Sequence, residues 1–185
     1  MDTAQPTLRE SAAEGLSLRP WAPEDADVLV RHHGDDQLRA WLATHLDTTA
    51  EAREWVDAQR RGWEAGTRAA FAVEETGPGP HAAGRPLGHI ALTTTGAPPA
   101  PVRIGYWTAA EARGRGIASR ALGLVADWAA RDDSPFAGRA LELVHAVGNE
   151  GSCRTALGRG FPLTATLPAD PPSRTRAQHL HTAVR

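Results

Sequence analysis

The sequence predicts an α+β fold, built on a mostly antiparallel mixed sheet with helices on both faces. Three strand-like segments follow one another between residues 68 and 108, separated only by stretches rich in Gly and Pro, which is typical of an antiparallel meander. Helical segments precede and follow this meander. Apolar side chains over residues 117–128 recur at the spacing of a helix that packs on a sheet. The length of 185 residues suits one domain.

The composition excludes several kinds of partner. The 20 basic and 22 acidic side chains give a net charge of −2, so no overall field attracts nucleic acid or an anionic membrane, and we expect neither as a partner. No apolar run approaches the ~20 residues that span a bilayer. The only cysteine, Cys153, cannot form a disulfide within the chain, which favours a cytoplasmic location.

The N-terminal part combines a tail, a strand and a short helix. Residues 1–14 are small and polar, and we expect a flexible tail there, ahead of a single domain over residues 15–185. Alternating apolar and polar side chains over residues 16–21 predict the first strand. Pro23 near the beginning and Gly34 near the end delimit a short helix.

A longer helix and the meander follow. Thr48 and Glu51 have the spacing of a capping box, and Gly66 ends the helix that they begin. The strands of the meander are predicted at residues 68–75, 87–95 and 102–108, with a connection rich in Gly and Pro at 76–86.

Helices and strands alternate in the C-terminal half. The helix over residues 117–128 leads to a strongly apolar strand at 140–147. Residues 148–161 predict a turn and a short helix, which Gly160 ends. Beyond them, two weak strands flank a loop rich in Pro.

The loop before the helix at 117–128 has the composition of an anion site. It contains Arg113, Gly114, Arg115 and Gly116, and a helix begins where it ends. The first N–H groups of a helix have no partner within the helix, and the helix dipole adds about half a positive charge there. Glycines allow a ligand to approach the main chain closely, and arginines can add charge-assisted hydrogen bonds. The pattern is therefore consistent with a site for a phosphate or diphosphate.

Two other interpretations of this loop stay open from its residues alone. The glycines can serve turn geometry only. Alternatively, with Ser119 in the third position, the loop can be the dinucleotide-binding turn of a nicotinamide oxidoreductase. That turn needs a strand that leads directly into the loop within a parallel unit, whereas here the segment TAAEAR separates the strand from the first glycine.

The wider pattern resembles the GNAT superfamily of N-acetyltransferases. The loop RGRGIA fits R-x-x-G-x-A, the acetyl-CoA motif of that family. The Gly-Tyr-Trp strand before it is similar to the Rim-type branch, which includes ribosomal-protein-alanine N-acetyltransferases. A second motif of that branch, N-x-x-S followed by Gly-Phe, is matched by Asn149, Ser152, Gly160 and Phe161.

The resemblance implies a GNAT fold whose fourth and fifth strands, RIGYWT and LELVHAV, splay apart to admit the pantetheine arm of acetyl-CoA. It implies that acetyl-CoA is a co-substrate and that no metal is needed. The residues expected to bind the coenzyme are Tyr106, Trp107, Thr108, Arg113, Gly114, Arg115, Gly116, Ile117, Ala118, Asn149 and Ser152. A main-chain N–H at Thr108 or its neighbour would polarise the thioester carbonyl.

In this family an amine attacks the thioester directly, and the departing thiolate needs a proton. Many members supply it from a tyrosine four residues after the position of Ser152, where this chain has Ala156, so we expect Ser152 to supply it instead. Ser152 is equally suited to the N-cap of the following helix. Glu142 and His145 are candidates for the base, together with Glu111, His89 or a chain of water molecules.

The acceptor is expected to be a protein N-terminal amine or a small-molecule amine such as an aminoglycoside. Trp41 and Trp63 are candidates for lining its pocket, although tryptophans of this kind are more often core residues. Carboxylates that would suit a polycationic acceptor occur in the same region, at Asp35, Asp36, Asp47, Glu51 and Asp57. His32 and His33 lack a third ligand at a metal-binding spacing.

Two further possibilities follow from the resemblance. Relatives are commonly dimers, which makes a homodimer possible. The absence of the usual tyrosine leaves open a catalytically inactive member that binds an acyl-CoA as a sensor or as a partner subunit.

Overall fold

The computed structural model describes residues 4–10, 15–76, 84–171 and 175–183. Its strands are β1 (Leu8–Arg9), β2 (Leu16–Pro20), β3 (Arg68–Glu75), β4 (Gly88–Thr94), β5 (Val102–Thr108), β6 (Leu141–Ala146), β7 (Leu163–Leu167) and β8 (Gln178–Ala183). Its α-helices are α1 (Ala26–His33), α2 (Asp36–Arg39), α3 (Thr49–Glu64), α4 (Ile117–Ala129) and α5 (Glu150–Gly158). Most of the predicted connection at 76–86 lies outside the described residues.

The strands form one sheet in the order β1-β2-β3-β4-β5-β6-β8-β7. Every neighbouring pair is antiparallel except β5 and β6, which are parallel and joined through α4. This arrangement confirms the predicted fold class. Because β1 adds a strand at the edge, the predicted fourth and fifth strands are β5 and β6 here.

Each face of the sheet carries its own apolar cluster, so helices cover both faces. On one face, α4 and α5 pack over the larger cluster, which includes Ile104, Leu122 and Leu143. On the other face, α1 and α3 pack over a smaller cluster that includes Trp21 and Trp107. The alternation of side chains along β5 sends Tyr106 to the first face and Trp107 to the second.

The predicted helix boundaries have the expected local causes. Thr48 Oγ1 accepts from the amide of Glu51, and the Glu51 carboxylate accepts from the amide of Thr48, which closes the predicted capping box. A 3₁₀ turn at Pro23–Asp25 leads into α1. Gly66 follows α3 with φ of 66°, a conformation that glycine adopts without steric cost.

The N-terminal segment differs from the expected flexible tail. Leu8 and Arg9 pair with β2, and Glu10 accepts from the amide of Leu16. Glu10 is also paired with Arg120 of α4. Residues 8–10 are therefore fixed to the domain by a short ladder and an ion pair, neither of which a polar composition reveals.

A network of side-chain ion pairs joins the second face of the sheet to the start of α1. Arg19 of β2 donates to both carboxylate oxygens of Asp25 at 2.7 and 2.8 Å, and to Glu74 of β3 at 2.7 Å. These carboxylates hold the pKa of Arg19 above its usual value, with Asp25 contributing most. Asp25 also accepts from the amide of Ala22, so one buried carboxylate fixes the direction in which the chain enters α1.

Within the described part of the chain, no helix has both the length and the apolar character that crossing a membrane requires.

Candidate functional site

The central feature of the site is a gap between β5 and β6. The two strands pair only at Val102–Leu141, Arg103–Glu142 and Ile104–Leu143. Beyond these pairs β5 continues to Thr108 and β6 continues to Ala146 without pairing. The gap opens into a cavity of about 960 Å³. The splay that the resemblance implied is therefore present.

Main-chain groups of β5 point into this gap at alternate residues. The amide of Val102 donates to Ala140 on the β6 side, whereas the amide of Ala109 donates to Leu87 on the β4 side. Because successive residues of a strand turn their N–H and C=O groups to opposite sides, Tyr106 and Thr108 face the gap. The main chain of Trp107 faces β4 and is not available to a ligand, which corrects its expected role; its side chain does line the cavity.

The Gly-Arg loop ends in a row of free main-chain donors. Gly114 and Gly116 have φ of 74° and 75°, which side chains other than glycine rarely adopt. Among the described residues, the amides from Gly114 to Ser119 find no protein acceptor. A Cβ at either glycine would meet open space, so a ligand can approach the main chain closely. This geometry suits the predicted anion site.

The arginines of the loop are held by carboxylates. Arg113 donates to Gln37 at 2.7 Å and to Asp35, and this hydrogen bond lowers the pKa of Asp35. Arg115 donates to both oxygens of Glu75 at 2.6 Å. Arg113 still lines the cavity, but Arg115 is not among the described lining residues. The structure thus gives the Arg115 side chain another partner.

Asn149 and Ser152 lie at the start of α5, beside the cavity. Asn149 is the N-cap, and its side-chain oxygen accepts from the amide of Ser152 at 3.2 Å. Ser152 is therefore in the first turn of α5 and does not cap it, contrary to the alternative interpretation of this serine. Its hydroxyl is left for another role, while the side-chain oxygen of Asn149 is used within the helix.

Tyr106 is brought to the same point from β5. Its side chain lies on the α5 side of the sheet, where Ser152 and Thr155 lie beside the hydroxyl. The hydroxyl is buried and has no hydrogen bond of good geometry within the described residues. Burial raises the pKa of Tyr106, and the neighbouring hydroxyls offset part of that effect. A tyrosine is therefore present at the gap after all, supplied by a strand instead of by α5.

The two base candidates on β6 are both engaged by protein groups. Glu142 pairs with Arg103 at 3.3 Å, and the structure does not bring it to the cavity. His145 does line the cavity, but its Nδ1 faces the carbonyl of Ala146 at 3.0 Å, and its Nε2 faces a nitrogen of His181 at 3.1 Å. Burial lowers the pKa of His145.

The other two base candidates are also engaged. Glu111 is 4.0 Å from Arg85 on the surface. His89 is buried on the second face of the sheet, where its Nδ1 accepts from the indole of Trp21 at 3.0 Å. Burial holds the pKa of His89 well below its usual range, so it is a neutral structural residue.

The second end of the cavity is lined by aromatic and amide side chains. His33, Gln37, Leu38, Trp41 and Trp55 contribute to it. Trp41 thus lies where it was expected. Trp63 instead packs on Trp128 at 6.3 Å between ring centroids, in the larger apolar cluster.

The predicted carboxylates of this region do not line the cavity, and several are paired with arginines. Asp47 pairs with Arg39, and Asp57 pairs with Arg60. None of the predicted acidic residues is among the described lining residues, neither Asp35, Asp36, Asp47, Glu51 nor Asp57.

Sequence reasoning did not assign His33 or Trp55 to the site, and it expected the main chain of Tyr106, but not its side chain, to take part. For Tyr106 a signal was available, because strand alternation places it opposite the buried Trp107 and on the face that α5 covers. The helix stripe that contains Trp55 does not distinguish a core position from a cavity wall.

Comparison with known proteins gives the same fold. The acetyltransferase (GNAT) domain model matches residues 16–162. No curated protein sequence matches significantly. RimJ from Mycobacterium smegmatis, solved with CoA-disulfide, has 19% identity and a TM-score of 0.79, covering 98% of this chain and 88% of that chain. Ribosomal-protein-S5-alanine acetyltransferase from Vibrio fischeri has 14% identity and a TM-score of 0.78, covering 96% of both chains. Microcin C7 self-immunity acetyltransferase MccE, solved with acetyl-CoA and AMP, has 17% identity and a TM-score of 0.78, covering 94% of both.

The environment of His33 generates a prediction about stability. His33 is buried, neither of its ring nitrogens has a partner within the described residues, and burial lowers its pKa from 6.5 to about 4. Between these values the unfolded chain binds a proton that the folded protein does not, so stability falls as the pH is lowered through this window. Each pH unit lowers the free energy of unfolding by at most about 1.4 kcal/mol, and by less where solvent screens the ring.

The variant His33→Leu should be at least as stable as the parent near pH 7, because leucine leaves no buried nitrogen unpaired. Its advantage should grow as the pH is lowered towards 4. Urea unfolding of both proteins across this range measures the difference. A difference that stays constant with pH would contradict the assignment.

Proposed function

The chain belongs to the GNAT acetyltransferase family, and we propose that it transfers an acetyl group from acetyl-CoA to a primary amine. The observation that carries the proposal is the continuity of one cavity. At one end of this cavity lie the free amides from Gly114 to Ser119, in its middle lies the gap between β5 and β6, and its other end is lined by tryptophans.

Each part of the coenzyme has a counterpart in this cavity. The diphosphate fits the free amides at the start of α4, where the helix dipole also favours negative charge. The pantetheine arm, which carries amide groups, fits the unpaired main chain of Tyr106 and Thr108. The thioester then lies near Tyr106 and Ser152, at the start of α5. Acetyl-CoA is the co-substrate that supplies the activated acetyl group.

The reaction proceeds by direct attack of a neutral amine on the thioester carbonyl. A main-chain N–H at the gap, that of Thr108 or Tyr106, stabilises the oxyanion, an effect of about 3–4 kcal/mol where one such donor is removed. The C–N bond forms and the C–S bond breaks. Nitrogen loses the proton that sulfur needs, and the Ser152 hydroxyl relays it, with the Tyr106 hydroxyl as a hydrogen-bond donor to the developing thiolate.

The acceptor is an α-amine, such as the N-terminus of a protein. The base candidates are all engaged, and His33, with a pKa of about 4, is a poor acceptor for the proton of an alkylammonium. The amine must therefore arrive neutral or lose its proton to water. An α-amino group with a pKa of about 8 is neutral in about a tenth of molecules at pH 7, whereas a lysine side chain is neutral in fewer than about one in a thousand.

Two glycine variants test the coenzyme site. Gly116→Asp places a carboxylate beside the proposed diphosphate, so the affinity for acetyl-CoA should fall at least about tenfold, or 1.4 kcal/mol. Gly138→Asp is the matched control, because Gly138 has φ of 69° and open space around it but lies outside the cavity lining. Both variants should lose about 1–2 kcal/mol of stability from the left-handed backbone. Titration calorimetry measures the binding.

Equal affinity in the two variants would remove the loop from the coenzyme site. Tight binding by the parent protein without turnover on any amine would instead favour the inactive acyl-CoA-binding module.

Two hydroxyl variants test the proton relay. Ser152→Ala should lower kcat about a hundredfold, within the range that general acid–base groups contribute, with little effect on coenzyme affinity. Thr155→Val is the control, since Thr155 also lies beside Tyr106 but one turn further along α5. Thiol release from acetyl-CoA measures kcat. If the threonine variant is as slow as the serine variant, Ser152 has no special role.

The class of acceptor is tested with two amines on one peptide scaffold. At pH 7 a free N-terminal amine should react about two-hundredfold faster than a lysine side chain on an N-terminally blocked peptide, from the neutral fractions alone. The rate with the α-amine should rise with pH and level off above its pKa. Mass spectrometry of the products identifies the acetylated nitrogen. Preferential acetylation of lysine would overturn the assignment.

A further inference from the structure

A cluster of histidine and cysteine side chains lies beneath α5, apart from the main-chain groups that are proposed to bind the coenzyme. It consists of His145 from β6, Cys153 from α5, and His179 and His181 from β8. One ligand atom from each residue lies within 4.8 Å of all the others. His181 is fully buried and His145 is 8% exposed.

The strand register and the helix bring these residues together. β6 and β8 are antiparallel neighbours, and His145 lies directly opposite His179. His181, two residues along β8, is on the same face of the sheet as His179. The same face is covered by α5, and Cys153 lies on that helix.

The hydrogen bonds of two histidines leave a conflict that a cation resolves. Nδ1 of His145 faces the carbonyl of Ala146, and Nδ1 of His181 faces the carbonyl of Phe161, each at 3.0 Å. A carbonyl only accepts, so each Nδ1 carries its hydrogen, and each Nε2 of a neutral ring has a bare lone pair. These two Nε2 atoms face each other at 3.1 Å.

The cation could be a proton shared by the two Nε2 atoms or a metal ion, and the remaining two residues favour the metal ion. Nδ1 of His179 is buried without a hydrogen-bond partner in the described part of the chain. Cys153 is a free cysteine and offers a thiolate. A shared proton would relieve the pair of Nε2 atoms only, and would leave Nδ1 of His179 buried without a partner.

We propose that His145, Cys153, His179 and His181 bind a zinc ion. Histidine nitrogens at about 2.0–2.1 Å and a thiolate at about 2.3 Å from zinc are separated from one another by about 3.3–3.6 Å in a tetrahedron, so the cluster needs to contract by only about 1 Å. Mixed imidazole and thiolate ligands favour zinc over magnesium or calcium. The carbonyls of Ala146 and Phe161 orient the two rings, as outer partners of metal-bound histidines do.

The site has a structural role, because four protein ligands fill the tetrahedron and leave no position for a substrate. It ties α5 to β6 and β8. This proposal replaces the expectation that the chain needs no metal, and it removes His145 from the base candidates.

The test measures metal binding directly. The purified protein is analysed for zinc by mass spectrometry, stripped with a chelator, and titrated with cobalt(II). Tetrahedral cobalt(II) gives intense visible bands, and a thiolate ligand adds a charge-transfer band in the near ultraviolet. We expect one metal ion per chain, and a lower unfolding temperature after stripping that added zinc restores.

Three variants make the test specific. Cys153→Ser should lose the charge-transfer band. His179→Gln should weaken metal binding more than about 100-fold, because loss of a residue that only hydrogen-bonds a ligand already costs about 10–100-fold. The control is His45→Gln, since His45 is an exposed histidine outside the cluster. Stripping should also increase alkylation of Cys153 by iodoacetamide.

The proposal is overturned if the protein binds no cobalt or zinc, or if Cys153→Ser has the spectrum of the parent. A stability that depends on pH but not on metal would instead indicate the shared proton. Calorimetry with acetyl-CoA on the same samples is an independent readout, so failure of the metal site and failure of the proposed acetyl transfer are distinguished.

Discussion

The parting of β5 and β6 is the constraint on which the rest of the structure depends. Buried main-chain N–H and C=O groups must be paired, and two adjacent strands normally pair each other. Here each strand is held along its parted segment by its other neighbour: β4 pairs with β5 as far as Thr108, and β8 pairs with β6 as far as Ala146. These outer ladders use the main-chain groups that face away from the gap, and the groups of Tyr106 and Thr108 that face it are left without a strand partner. They suit a ligand rich in amides.

Charge at the Gly-Arg loop is balanced before any ligand arrives. Arg113, Arg115 and Arg120 are each paired with a carboxylate, from Asp35, Glu75 and Glu10 respectively. Arg120 ties α4 to the N-terminal segment, while Arg113 and Arg115 tie the preceding loop to the start of α2 and the end of β3, so all three side chains have structural partners. At the proposed diphosphate site, the attraction for an anion would then rest mainly on main-chain amides and the helix dipole, which need no side chain to be reorganised.

The sequence predicted those parts of the fold in which local chemistry decides the outcome. The capping box at Thr48, the glycine at position 66 and the apolar stripe of α4 depend on neighbours within one or two turns, and each was placed correctly. The conformation of the Gly-Arg loop belongs to this group, because its glycines and the helix that follows are contiguous, while its binding of a coenzyme stays a prediction. The ion pair between Glu10 and Arg120 spans 110 residues and was invisible, which is why β1 was taken for a tail.

The candidate site shows where such reasoning ends. Tyr106 could be assigned to a face of β5, but its approach to Ser152 depends on how α5 crosses the sheet. His179 and His181 lie in a strand too weakly patterned to be assigned a face, and their partner His145 is more than thirty residues away. Tertiary pairing alone joins them, so a metal site of this kind leaves no motif of fixed spacing in the sequence.

The start of α5 connects the two sites on this face of the sheet. Ser152 lines the cavity, while Cys153 belongs to the histidine cluster. Consecutive residues of a helix point about 100° apart, so one turn can face both at once. A ligand bond from Cys153 to a metal held by β6 and β8 would restrict both the rotation and the translation of this turn. The Ser152 hydroxyl would then keep its distance from the thioester, because the helix that carries it is fixed to the strand that forms one wall of the gap.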